Sequence, residues 1–127
     1  MSPSLPQIFA IMLGGALGAT LRYLVSNGVY NLLGRDFPYG TLVVNILGSF
    51  LMGVLSVILL ERCEVDSLLK LAILVGFLGA FTTFSTFSME TLALINKGAL
   101  SHALLNMLTS VIVCIFAVWL GMLIAKQ

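Results

Sequence analysis

Charge is what this sequence has least of. Only 9% of its 127 residues are Asp, Glu, Lys or Arg, against about 25% in an ordinary soluble domain. A soluble globule needs those groups to cover its surface, so water is excluded as the main solvent of this chain. The formal net charge of +1 leaves no clustered Lys and Arg for a nucleic acid partner. Histidine occurs once, as His102, and the first apolar block holds neither Asp nor Glu. The first shortage removes the usual base for a serine nucleophile, so an intramembrane hydrolase, and with it an enzyme, is not expected. The second removes the buried carboxylate that a proton-coupled small four-helix exporter would need. Two cysteines, Cys63 in a polar stretch and Cys114 in an apolar run, are too few for a disulfide framework. The opening MSPSLPQ carries no Lys or Arg, which argues against reading it as a cleaved secretory signal. No nucleotide-binding motif is present.

What remains is oil: 60% of the chain is hydrophobic and its mean hydropathy is +1.14. Polar punctuation divides it into four apolar blocks, at residues 5–33, 41–60, 68–95 and 99–125. A helix needs about 20 apolar residues to cross a bilayer, and each block is long enough. The runs are continuous and do not alternate, which excludes a β-barrel. The expected fold is an all-α membrane protein, a single transmembrane domain over residues 1–127 with four spans and lipid around it. Four spans put Arg62, Lys70 and Lys126 on one side and Arg35 and Lys97 on the other. The rule that places positive loops in the cytoplasm finds almost no bias here. Either another feature fixes the orientation, or the chain inserts both ways, which permits an antiparallel dimer.

Inside the blocks, small residues recur at helical spacing, as in Ala10, Gly14 and Gly18, or Ser49 and Gly53. These read as faces where helices touch. The second block carries a polar stripe of Thr41, Asn45, Ser49 and Ser56, and the fourth a stripe of His102, Asn106, Ser110 and Cys114. Asn45 serves either as glue between helices or as a hydrogen-bond donor facing a pathway. Arg22 either snorkels to an interface or raises the positive potential at the mouth of an anion path. Glu90 is expected to snorkel toward the end of its block near Lys97. The third block is the odd one. Its 28 residues would reach about 42 Å as a straight helix, longer than the bilayer core. It contains GAFTTFSTFSME at 79–90, a run of hydroxyls among phenylalanines where leucines would be ordinary. Gly79 precedes the run and offers backbone angles closed to other residues. The residues leave two readings: a helix broken there, or a continuous helix whose Ser and Thr bond back to their own carbonyls.

GFLGAFTTFSTFSME (76–90) resembles the signature of the Fluc/CrcB family of bacterial fluoride channels. PYGTLVVNILGS (38–49) and GGALGATLRYLV (14–25) resemble that family's second and first helices. The resemblance covers most of the chain and is less sharp in the fourth helix. It implies a passive fluoride-selective channel in the bacterial inner membrane that lowers fluoride toxicity. It implies a dual-topology homodimer with antiparallel subunits and two pores. It also implies a third helix broken at 79–83, with a structural Na⁺ that is not transported, held by the carbonyls of Gly79 and Thr82 from both copies. Phe84 and Phe87 become an aromatic pair in the pores, whereas Phe81 resembles no pore position. Asn45, Ser85, Thr86, Ser88 and Ser110 stand as uncharged pore donors, and Arg22 as a vestibule charge. An accessory membrane assembly protein remains an alternative that composition alone would fit.

Overall fold

The computed structural model describes residues 2–127. Its first helix, α1, runs Leu5–Leu33. It starts where Pro6 can sit at no cost, because the first-turn N–H groups lack helical partners in any case. Gln7 turns its side-chain oxygen back to the Ser4 N–H at 2.9 Å. The helix stops at Gly34, whose φ of +84° directs its N–H to the Tyr30 carbonyl at 2.9 Å. A residue with a Cβ would be strained in that conformation.

α2 runs Tyr39–Arg62, its last residues Ile58–Arg62 widened into a π-helical turn. α3 covers 67–81. It is capped by the Asp66 carboxylate, which accepts from the Leu68 N–H at 3.2 Å, and it is π-helical through Leu71–Leu78. α4 runs Phe84–Asn96 and gives way to a turn at Gly98, again at positive φ. α5 runs Leu100–Lys126. Among the described residues four helical spans are long and apolar enough to cross a membrane, α3 and α4 together forming the third, Ser67–Asn96. The chain is a multi-pass membrane protein.

Burial is inverted relative to a soluble protein. In α1 the buried residues are Gly14 and Gly18, while Leu13, Leu17 and Tyr23 face outward. A Cβ at Gly14 would overlap the Ala72 carbonyl, and one at Gly18 would overlap that of Phe77. α1 and α3 therefore touch backbone to backbone. α2 and α5 pack in the same manner: Gly53 faces the backbone of Val118, and Gly121 faces that of Phe50. The buried positions of α5 are Ala103, Asn106, Ser110, Ala117, Gly121 and Ala125, all small or polar and all on one helical face. Lipid tails are as apolar as leucine, so close packing of small residues does the joining that hydrophobic burial does in water.

Two helix pairs result, α1 with α3 and α2 with α5, and α4 leans on α5. The third span thus changes partner partway along, between α3 and α4. That change of partner positions the site.

Candidate functional site

Helical geometry ends at Phe81 and resumes at Phe84. Thr82 lies at φ −83°, ψ 157° and Thr83 at φ −150°, ψ 117°, both extended. Gly79 does not supply the unusual angles expected of it. It sits at φ −62°, ψ −33°, ordinary helix, and the deviation falls on two β-branched residues for which extended backbone is natural.

Two extended residues in a membrane span must find partners for their backbone, since lipid offers none. The Thr82 N–H still reaches the Leu78 carbonyl at 3.2 Å, and its hydroxyl donates to the same oxygen at 3.0 Å. Thr83 is served by a different helix. Asn45 of α2 accepts from the Thr83 N–H through Oδ1 at 2.7 Å and donates to the Thr83 carbonyl through Nδ2 at 3.0 Å. One side-chain amide thus replaces both partners that an unbroken helix would have given. Asn45 also borders a recess beside the break, so it is glue and lining at once.

Thr83 then opens α4. Its Oγ1 accepts from the Thr86 N–H at 3.2 Å, the ordinary N-cap bond. Its hydroxyl donates to Thr86 Oγ1 at 3.0 Å and lies 3.2 Å from Ser85 Oγ. The hydroxyls of Thr83, Ser85 and Thr86 form one cluster around a buried centre, Thr83 being 7% exposed. Thr83 was absent from the residues expected to line the pore. A threonine directly ahead of a helix start is the N-cap signal that would have found it.

The carbonyls that run from the end of α3 into the break belong to Gly79, Ala80, Phe81 and Thr82. In an unbroken helix they would accept from residues 83 to 86. Here the Thr83 N–H goes to Asn45 and the Thr86 N–H to Thr83 Oγ1, and α4 starts on a new course. Gly79 and Thr82 therefore both offer carbonyl oxygens without helical partners, as a hard cation held by neutral oxygens would require. Among the described residues no three His, Cys, Asp or Glu side chains gather at a metal-sized site.

The recess bordered by Asn45, Ser49, Thr83, Phe84, Phe87 and Ser110 holds about 330 Å³. Phe84 and Phe87 meet there at 5.3 Å between ring centroids, tilted by 47°. Phe87 is 9% exposed and Phe84 77% exposed, so the Phe84 ring lies on the surface of the chain. Phe81 instead stacks on Phe77 at 6.0 Å and is buried in the core. Ser110 comes from α5, its hydroxyl 3.4 Å from Asn106 Oδ1. Asn106 in turn donates to Thr91 Oγ1 at 2.9 Å, tying α5 to α4. Ser88, exposed like Ser85 and Thr86, differs from them in bonding back to a carbonyl, that of Phe84, at 2.9 Å.

A smaller recess of about 230 Å³ lies on the α1 side, bordered by Arg22, Ser26, Thr41, Thr83 and Thr86. Arg22 is half-buried there and borders the same recess as Thr83 and Thr86. Glu90 does not snorkel toward Lys97. It accepts from the Tyr30 hydroxyl at 2.7 Å, and its second oxygen is buried without a partner. Tyr30 Oη also lies 3.2 Å from Thr41 Oγ1 and carries Arg35 over its ring at 4.5 Å. The tyrosine gives Glu90 a neutral donor across the gap between helices, which replaces the route to the interface. His102, exposed beside Phe37, borders the same recess as Tyr30, Arg35 and Glu90 but makes no hydrogen bond to them.

Residues 9–122 match the family model described as CrcB-like protein, Camphor Resistance (CrcB). The chain is 58% identical over 121 residues to a protein of Methylococcus capsulatus named fluoride-specific ion channel FluC, covering 95% of this chain and 53% of that one. It therefore spans about half the length of that relative. Proteins of the same name from Magnetococcus marinus and Hydrogenovibrio crunogenus are 56% and 49% identical, over 94% and 95% of this chain and 98% and 92% of theirs. A family match over most of the chain, with two of these relatives similar along nearly all of their own length, leaves one assignment: the chain belongs to the CrcB family.

Proposed function

We propose that this protein is a fluoride-specific channel of the bacterial inner membrane and not an enzyme. It lets fluoride leave the cytoplasm down its electrochemical gradient. The observation that carries the reading is the uncharged recess beside the break, with its hydroxyls and tilted phenyl pair, in a chain so similar to proteins named for that activity. Fluoride is small and holds its water tightly, so a pore must replace that water with other hydrogen donors. Ser85, Thr86 and Ser110 offer hydroxyl hydrogens. Phe84 and Phe87 offer ring edges, which are the positive part of the aromatic quadrupole. None carries a full charge, so an ion held among them is still free to leave, as conduction requires. Arg22 adds positive potential in the neighbouring recess without entering the phenyl pair's recess. Ser88 contributes only if its bond to the Phe84 carbonyl opens.

The working unit in this reading is an antiparallel homodimer with two pores. The three-to-two distribution of loop charges supports insertion in both orientations. The outward ring of Phe84 supports a partner surface that would cover it. A structural Na⁺ fits the same picture. The Gly79 and Thr82 carbonyls of the two copies would hold it, and its charge would compensate carbonyl dipoles left without donors in a dry place. Hydrogen fluoride enters cells as a neutral acid and dissociates, and the membrane potential then drives the anion outward without ATP.

The test is efflux from liposomes containing only the purified chain. A fluoride gradient should collapse electrogenically once a potassium ionophore is added, with chloride moving far more slowly. Equal fluoride and chloride flux, or no flux above empty liposomes, would overturn the reading.

A further inference from the structure

The two recesses beside the break share one wall residue. Of the side chains around the 330 Å³ and 230 Å³ spaces, Thr83 alone borders both. We propose that the Thr83 hydroxyl is the hand-over point for the ion, a donor that turns from the Arg22 side to the phenyl side as fluoride passes. This rests on the fluoride-channel reading and adds a residue and a device to it.

The backbone of Thr83 is held at both its polar groups by Asn45, at 2.7 and 3.0 Å, so the residue stays in place while its side chain acts. Its Oγ1 carries one hydrogen and two lone pairs. The hydrogen points to Thr86 Oγ1 at 3.0 Å, and one lone pair takes the Thr86 N–H at 3.2 Å. The bond between the two hydroxyls can run in either direction without moving a heavy atom. When Thr83 donates to Thr86, the Thr86 hydrogen is free to face the smaller recess, where Thr86 and Arg22 both stand. When the bond reverses, Thr86 donates to Thr83, and the Thr83 hydrogen is released toward the recess of Phe84, Phe87 and Ser110. An anion in the first space favours the first arrangement and an anion in the second favours the other. The ion carries its own switch across, and a hydroxyl hydrogen faces it on each side of the wall. Ser85 Oγ, 3.2 Å from Thr83 Oγ1, can fill the second lone pair in the first state, and the Thr86 hydroxyl fills it in the second. No proton leaves its oxygen.

Single-channel recording in planar bilayers tests this, with wild type, Thr83→Val, Thr83→Ala and Thr83→Ser. Valine keeps the shape of threonine and removes the hydroxyl, whereas serine keeps the hydroxyl. The unitary fluoride current should fall about tenfold or more in Thr83→Val and Thr83→Ala, the worth of one hydrogen bond to an ion. Thr83→Ser should stay within about threefold of wild type, because it caps the helix equally well. A hydroxyl that merely caps α4 would reduce the number of active channels and leave the current of each unchanged. Should valine assemble poorly, alanine and serine still give the comparison. Wild-type unitary current in Thr83→Val or Thr83→Ala, or an equal loss in Thr83→Ser, overturns the hand-over role. A wild-type protein that passes no fluoride overturns the channel reading itself, which is a separate result.

Discussion

Replacing Asn45 with alanine separates two physical accounts of this residue. If Asn45 were simple interhelical glue, its loss would cost what a hydrogen bond between membrane helices usually costs, about 0.6 kcal/mol. That value is small because the freed groups find other partners. The structure gives the groups here no such freedom. Asn45→Ala strands the Thr83 N–H and the Thr83 carbonyl together, both now served by the one amide at 2.7 and 3.0 Å. Each orphaned buried group costs about 1–3 kcal/mol, so the pair costs roughly 2–6 kcal/mol. The two accounts differ by several-fold, which an equilibrium measurement can resolve. The assay is unfolding in mixed micelles at fixed protein concentration, followed by circular dichroism, since an assembling protein's stability depends on concentration. Ser49→Ala is the control: Ser49 borders the same recess but holds no backbone group at the break, so its loss should stay below about 1 kcal/mol. An Asn45→Ala protein that unfolds within about 0.6 kcal/mol of wild type would refute the clamp.

Phe84→Ile keeps apolar bulk but loses the polarised ring edge, so liposome fluoride flux should drop while protomer stability stays unchanged, the ring being 77% exposed. Phe81→Ile should do the opposite, lowering stability through the buried stack on Phe77; equal flux loss with equal destabilisation at both positions would point to packing alone. Exhaustive removal of Na⁺ should abolish fluoride flux and its return should restore it, with no ²²Na⁺ crossing. Full flux without Na⁺, or sodium moving with fluoride, would rule out a structural ion. Thr82→Ser should behave as wild type, because the proposed ligand is a carbonyl and serine can keep the hydroxyl bond to Leu78 seen at 3.0 Å.

Four spans were legible because lipid imposes one requirement on every backbone group and a simple length on every helix. The glycine faces were legible for a related reason: Gly14, Gly18 and Gly53 are where carbonyls of a neighbouring helix approach. The interior of the site was read less well. Gly79 drew attention as the residue most free to bend, yet conformational freedom does not decide where a membrane helix opens. The helix opens where the loss of its bonds is repaid, and the repayment lies 38 residues away in sequence, at Asn45. Glu90 illustrates the same limit. Its sequence neighbours suggest a route to the interface, while its actual partner, Tyr30, is on another helix and 60 residues distant.

Once those pairings are counted, few polar hydrogens are left to meet an ion. Asn45 spends an N–H on Thr83, Thr82 spends its hydroxyl on Leu78, and Ser88 spends its own on Phe84. Thr91 donates to Phe87 and receives from Asn106. Backbone demand therefore takes most of the hydroxyls that looked free in the sequence. The hydrogens not committed to a carbonyl are those of Thr83, Ser85 and Thr86, together with the ring edges of Phe84 and Phe87, while Ser110 gives its own to Asn106 Oδ1 only at a long 3.4 Å. A membrane protein must satisfy its own backbone before it can serve a ligand. What the break leaves over is a short row of weak donors held only by one another, as Thr83 is by Thr86 and Ser85, and in the channel reading that remainder is where an anion of fluoride's size would find its replacement for water.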